Sequence, residues 1–199
     1  MLFRSRELLI QHAQWIHSSG KQGKRAELAR VDLSRQNLEG ANLSAASMEL
    51  AILRGATLSK ANLLMADLSY ADLREADLSY ADLRGASLRR ANLTSARLTG
   101  ARCGPVDIMG SSTHLWPANF EHARLNNANL NGVDLRRAKM PGANFSNATL
   151  TGTALKYANL QDAVFTRADT RGADFEGADI RRSEEHTSEL QSQSTISYA

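Results

Sequence analysis

The chain contains one cysteine and three prolines in 199 residues, and only 6% of it is aromatic. A single cysteine excludes an internal disulfide framework and a Cys-rich zinc site. So few large rings exclude a core built on aromatic side chains. No run approaches the roughly 18 consecutive apolar residues of a membrane span. The N-terminus lacks the apolar core of a secretion leader, and with the lone cysteine this makes a cytoplasmic location the expectation. No Gly-rich phosphate loop is present. The serines have no matching His and Asp constellation, and no residues stand at metal-ligand spacing. The expectation is a non-enzyme with no catalytic residue, no cofactor and no metal. A formal charge of +3 is too small to mark a nucleic-acid binder, so nucleic acid is not expected as a partner.

What the chain does have is a period of five. Written in fives from Ala26, it reads ADLSY, ADLRE, ADLSY, ADLRG, ASLRR, ANLTS through its middle. Central residues fall at Leu28, Leu33, Leu38 and onward to Ile108, which is 17 units. The register then slips by two and resumes at Phe120, giving 13 more units to Ile180. Of these 30 centres, 20 are Leu and only Thr170 is polar, while 25 of the residues two places earlier are Ala.

Neither regular element uses such a period. In an α-helix, a step of five turns about 140° past a full rotation and sprays the leucines around every face. In a strand, an odd step alternates them between faces. Within one unit, however, Ala and Leu are two apart and point the same way in extended chain. The chain must therefore bend once per unit to keep each pair facing one axis. Asp, Asn, Ser, Arg and Gly fill the remaining places and suit exposed corners. The product is a flat-sided coil with Ala and Leu inside, and successive coils can stack through backbone hydrogen bonds about 4.8 Å apart.

On these residues the chain resembles the pentapeptide-repeat proteins, whose pattern is A-(D/N)-L-x-x. The match runs from Ala26 to about Arg181. The resemblance implies an all-β fold, a right-handed quadrilateral parallel β-helix (a solenoid) of about seven coils with a short N-terminal α-helical cap. It also implies a bacterial source. Four units per coil make residues twenty apart stacked neighbours. Leu33, Leu53, Leu73 and Leu93 then form one internal column, Cys103 continues that of Leu43, Leu63 and Leu83, and Phe145 lies against Phe165. Asp77 falls beside Arg97, and Asp82 beside Arg102. Cys103 is expected to be a small buried hydrophobe.

The expected organisation has five parts. Residues 1–25 form a helical cap, with a helical face over Ser5 to His17, Ser5 as its N-cap and Gly20 and Gly23 as its stop. Residues 26–110 are the first repeat block and 118–181 the second. Between them, residues 111–117 form a register-breaking loop in which seven residues replace five. Residues 182–199 share no pattern with the rest and match the in-frame translation of a short-read sequencing adapter on both sides of its index. They are expected to be a non-native, disordered tail. On that reading the protein is expected to continue past Arg181 and to be truncated here. Removing this tail's one base and three acids leaves 23 basic and 18 acidic residues, a formal +5.

A rod of repeats offers surface rather than a pocket. The leading reading is a non-catalytic structural or protein-interaction module with an unidentified protein partner, and homodimerisation is a further expectation. Candidate partner-binding residues are His114 and Trp116 in the loop, together with Leu50, Ile52, Leu64, Met65 and Tyr70, which are apolar yet stand at outward positions. Some pentapeptide-repeat proteins resemble B-form DNA, bind DNA gyrase or topoisomerase IV and protect against quinolones. That is the first alternative, and the basic charge weighs against it. The second is a repeat scaffold for a C-terminal domain beyond Arg181.

Overall fold

The computed structural model describes residues 2–107 and 115–184, with side chains in its helix from Glu7 onward. It is a right-handed β-helix of stacked square coils, preceded by the helix α1, Leu2–His17. Each residue one place before a unit centre pairs in parallel with its equivalent twenty residues on, as in Asp32 with Ile52, Ile52 with Asp72 and Asp72 with Asn92. Twenty residues of five-residue units make four sides. Ala and the central residue of each unit fill the interior, and nearly all are fully buried. The expected columns are present, and Cys103 is buried in its column. Burial pushes its thiol pKa well up, which makes it a poor nucleophile.

One unit shows why the pattern reads A-(D/N)-L-x-x. Ala76 N–H closes a turn onto the Leu73 carbonyl (3.1 Å), and Asp77 N–H reaches back to Ala56 (2.9 Å). Leu78 and Tyr80 N–H donate forward to Arg97 (2.7 Å) and Thr99 (2.9 Å). The fifth amide, Ser79 N–H, has no carbonyl and donates instead to Asp77 Oδ1 at 3.0 Å. An unpaired backbone donor is costly, so Asp or Asn two residues earlier completes the set. The same bond recurs from Ser34 to Asp32 through to Arg181 to Asp179.

The corners are turns with a positive φ at their third residue, the type II signature. Tyr80 has φ 59° and Met65 has φ 58°. Several large corner side chains lap over a glycine in the next coil. A Cβ on Gly100 would lie 2.7 Å from the Tyr80 ring, and one on Gly177 would lie 2.5 Å from that of Tyr157. Exposed Tyr80 and Tyr157 therefore cover backbone rather than project freely.

The helix starts at Leu2, so Ser5 lies inside it and is not its N-cap. It ends in a Schellman arrangement: Gly20 N–H donates to the Trp15 carbonyl (2.8 Å) and Ser19 N–H to Ile16 (3.1 Å). Ser19 takes the left-handed position with φ 51°. Leu8 and Leu9 pack against the core of the first coil. Beside them, buried His12 accepts the Ala26 N–H on Nδ1 at 3.0 Å and stacks on Trp15. Its Nε2 is buried and has no hydrogen-bond partner among the described residues.

Burial, opposed by the Ser44 backbone and aided by the Arg25 guanidinium, holds the His12 pKa below its ordinary 6.5. The folded state thus prefers the neutral ring. Its contribution is complete above the unfolded pKa and is lost as pH falls below it. Protonation would also turn the acceptor of Ala26 N–H into a donor. The protection factors of amides across α1, taken against their intrinsic rates at each pH, are therefore expected to fall between pH 7.5 and pH 5, and His12→Gln is expected to flatten that dependence. An equal fall in His12→Gln would refute the assignment to His12.

The ladder is interrupted once. Across the break the partner spacing is 32, not twenty: Ser87 pairs with Asn119 and Arg102 with Asp134. Twelve residues are therefore inserted between the units centred on Cys103 and Phe120, where the register slip suggested an excess of two. Val106 and Asp107, counted in the sequence as part of a repeat unit, instead form strand β1, Val106–Asp107. It pairs antiparallel with β2, Leu115–Trp116. At the far end the ladder does not stop at Arg181. Arg182 takes the corner conformation (φ 57°) and bonds Asp162, and Glu184 pairs with Val164. Backbone pairing at an open edge needs no particular side chain, so these three residues continue the coil despite their break in pattern. Residues 185–199 lie outside the described part.

Candidate interaction surface

The inserted segment leaves the rod after Cys103 and returns at Pro117. In the β1–β2 pair Val106 stands opposite Trp116, and Asp107 opposite Leu115. Trp116 is 52% exposed. Its ring comes down beside Gly85, where an added Cβ would meet Met65 Sδ, Trp116 Cδ1 (3.2 Å) and Val106 Cγ2 (3.3 Å). Gly85 thus forms the floor on which Met65, Val106 and Trp116 converge. Leu115, Trp116 and Pro117 also wall a recess of about 330 Å³ on the adjoining side, with Ser87, Arg89 and Lys139. His114 lies outside the described residues.

The other candidates divide between two neighbouring corners. Met65 joins Trp116 at one, with Leu64 half-buried beside it. Leu50 and Tyr70, twenty apart, share the next corner, and Ile52 follows two residues after Leu50. All three are exposed, Tyr70 by 45%. The six described residues therefore stand at two corners. The described members flank the side that carries Ser47, Asp67 and Ser87.

Charge pairing follows two rules, of which sequence reasoning found one. Across coils, Arg97 bonds Asp77 at 3.0 Å and Arg102 approaches Asp82 at 3.7 Å. Within units, an Arg two residues after Asp grips its carboxylate with two nitrogens, as in Arg84 on Asp82 and Arg136 on Asp134. The Asp-Leu-Arg spacing is the signal for this second rule. Hydrogen bonding from Arg136 holds the Asp134 carboxyl below the usual range, and the same pattern takes Asp169 and Asp179 down to about 2. These carboxylates stay ionised at any physiological pH.

Among the described residues, no His, Cys, Asp and Glu cluster is placed to hold a metal ion, and no helix is long and apolar enough to cross a membrane. The surface can bind through apolar and guanidinium groups.

A family model for pentapeptide repeats matches in eight copies, over residues 26–63, 66–102, 118–152 and 143–182. Comparison with curated proteins returned no match. Among solved structures, a pentapeptide repeat protein from the Arabidopsis thaliana thylakoid lumen is 33% identical over 56% of this chain and 69% of its own, with a TM-score of 0.48. HetL, a pentapeptide repeat protein involved in heterocyst differentiation regulation from the cyanobacterium Nostoc, is 31% identical over 88% and 92%, with a TM-score of 0.24. Full-length QnrB1, a plasmid-mediated fluoroquinolone resistance protein, is 23% identical over 77% and 75%, with a TM-score of 0.49.

Proposed function

The chain belongs to the pentapeptide-repeat family, and from that premise we propose that it is a non-catalytic module that binds a protein partner through the corner built around Trp116. The observation that carries this reading is the convergence of exposed Trp116 with Met65 and Val106 over Gly85. A tryptophan held on a rigid floor and ringed by polar groups is the usual composition of a binding hot spot. The ridge of Leu50, Ile52 and Tyr70 stands at the neighbouring corner, across the side that carries Ser47, Asp67 and Ser87.

In this reading α1 caps the first of about seven coils, covering an edge that would otherwise expose Leu28 and its neighbours. The insertion serves recognition rather than architecture, because the ladder closes on either side of it. A DNA-like surface finds no support in the charges. Arg84, Arg89, Arg90, Arg97 and Arg102 make the middle of the rod basic, which repels a DNA-binding cleft.

The test compares the wild type with Trp116→Ala, Met65→Lys and Ile52→Asp by cross-linking capture and by light scattering for self-association. A gyrase supercoiling assay with a quinolone serves as the control. Loss of one set of captured proteins, or of a dimer, with an affinity drop of about thirtyfold for Trp116→Ala and an unchanged melting temperature, is expected. Identical capture and self-association by all three variants would refute the reading.

A further inference from the structure

The break in the ladder leaves a second feature at Gly104, just before β1. In units with Asp or Asn before the centre, the amide after the centre is received by that side chain. In the Cys103 unit the position before the centre is Arg102, which has no acceptor. Gly104 is buried, and its N–H meets no acceptor among the described residues. A buried backbone donor of this kind calls for an external partner.

The surroundings say what that partner is. Twenty-residue stacking, stretched by the insertion, puts Arg84 one coil before Gly104 and Arg136 one coil after it. Arg84 and Arg136 line one recess with Gly104. Arg102 and Arg137 close the sides, and the recess measures about 240 Å³. Asp134, held by Arg136, is the carboxylate of its lining, and Asp82, outside the lining, is held by Arg84 and approached by Arg102. The four guanidinium groups thus have two carboxylates between them. Arg137 has no carboxylate partner and lies over the Tyr157 ring at 5.2 Å. The Asp134 carboxylate lies against Gly104, 2.8 Å from where a Cβ would stand, so glycine is what admits the Asp134–Arg136 pair to this wall of the recess.

We propose that this recess is a binding site for a phosphate dianion, either the free ion or a phosphate monoester on a protein side chain. A doubly charged oxyanion balances the two unmatched guanidinium groups, whereas a carboxylate balances one. Its oxygens suit forked Arg donors, and one can accept the Gly104 N–H. Asp82 and Asp134 hold the arginines in place rather than compete for them. The site is independent of the Trp116 surface.

The experiment follows the Gly104 amide resonance of the ¹⁵N-labelled chain during titration with inorganic phosphate, and separately with a phosphoserine peptide and a short DNA oligonucleotide. A saturable shift is expected, at least about tenfold weaker in Arg137→Ala and in Arg102→Gln, since a charge-assisted contact is worth that much. Both substitutions leave the Asp82–Arg84 and Asp134–Arg136 pairs intact. Resonances of Leu53 and Leu150 report that each variant is folded. Saturation by inorganic phosphate alone supports the free ion, and tighter saturation by the phosphopeptide supports a modified side chain. A linear shift, or saturation unchanged in both variants, overturns the site. Equal competition by the phosphodiester oligonucleotide overturns the dianion assignment.

Discussion

Replacing Phe145 by alanine is expected to lower the unfolding free energy by about 3–5 kcal/mol. Phe145 is fully buried, and its ring stacks on Phe165 with centroids 4.9 Å apart and planes 8° from parallel. Phe175 meets Phe165 edge-on at 6.1 Å. A globular core relaxes around a lost ring by shifting an element inward. Here the walls are tied to the coils before and after them by hydrogen bonds, such as Phe145 N–H to Val164 at 2.7 Å. The cavity therefore stays open and the cost falls at the upper end for its chemistry. Phe165→Ala should cost a similar amount. The double variant should cost less than the two together, by about 0.5–1.5 kcal/mol for the stacked pair. Urea unfolding of the four proteins measures all three quantities. Strict additivity, or a loss under about 1 kcal/mol for Phe145→Ala, would show that the ring stack is not a unit.

Gly23→Ala is the second large effect. Gly23 has φ +73°, and a Cβ there would sit 2.2 Å from the Gln11 carbonyl oxygen and 2.7 Å from the Trp15 nitrogen. Both obstacles are helix backbone, so no side chain can swing aside. Relief requires α1 to move off the rod. It would lose the bond from Lys24 N–H to the Gln11 carbonyl (3.1 Å) and that from Ala26 N–H to His12. Leu8 and Leu9 would come away with it, uncovering the first coil. The expected loss is about 3 kcal/mol or more, since backbone strain and lost packing act together. In a Trp116→Phe background Trp15 is the sole tryptophan, and its emission on excitation beyond the tyrosine band should shift to the red while light scattering rises. Unchanged Trp15 emission and unchanged exchange across α1 would refute the tight seat at Gly23.

The architecture was legible because one physical requirement repeats. Each unit must turn Ala and a larger apolar residue inward, and the four-unit coil implied by the family resemblance then predicts contacts as remote as Phe145 with Phe165 or Asp77 with Arg97. The insertion was not legible, because a period of five reports extra length only modulo five. Twelve residues and two leave the same slip, and the Val-Asp-Ile of residues 106–108 falls into register by coincidence. The Trp116 site was half visible. Its exposed indole follows from the broken pattern, whereas its seat on Gly85 beside Met65 depends on where the hairpin folds. The Gly104 recess was not legible, because Arg97 and Arg124 stand at the same place in their units, and only the burial of Gly104 among stacked arginines sets it apart.

The spacing of twenty also fixes an angular address for everything the rod carries. Excising residues 61–80 removes one full revolution: every later residue keeps its compass direction, and the hairpin moves nearer to α1 without rotating. Excising only residues 61–65 instead swings the entire second part through a quarter turn, so Trp116 would face a different direction relative to the helix and to the ridge of Leu50 and Ile52. A partner that touches both would tolerate the longer deletion better than the shorter one.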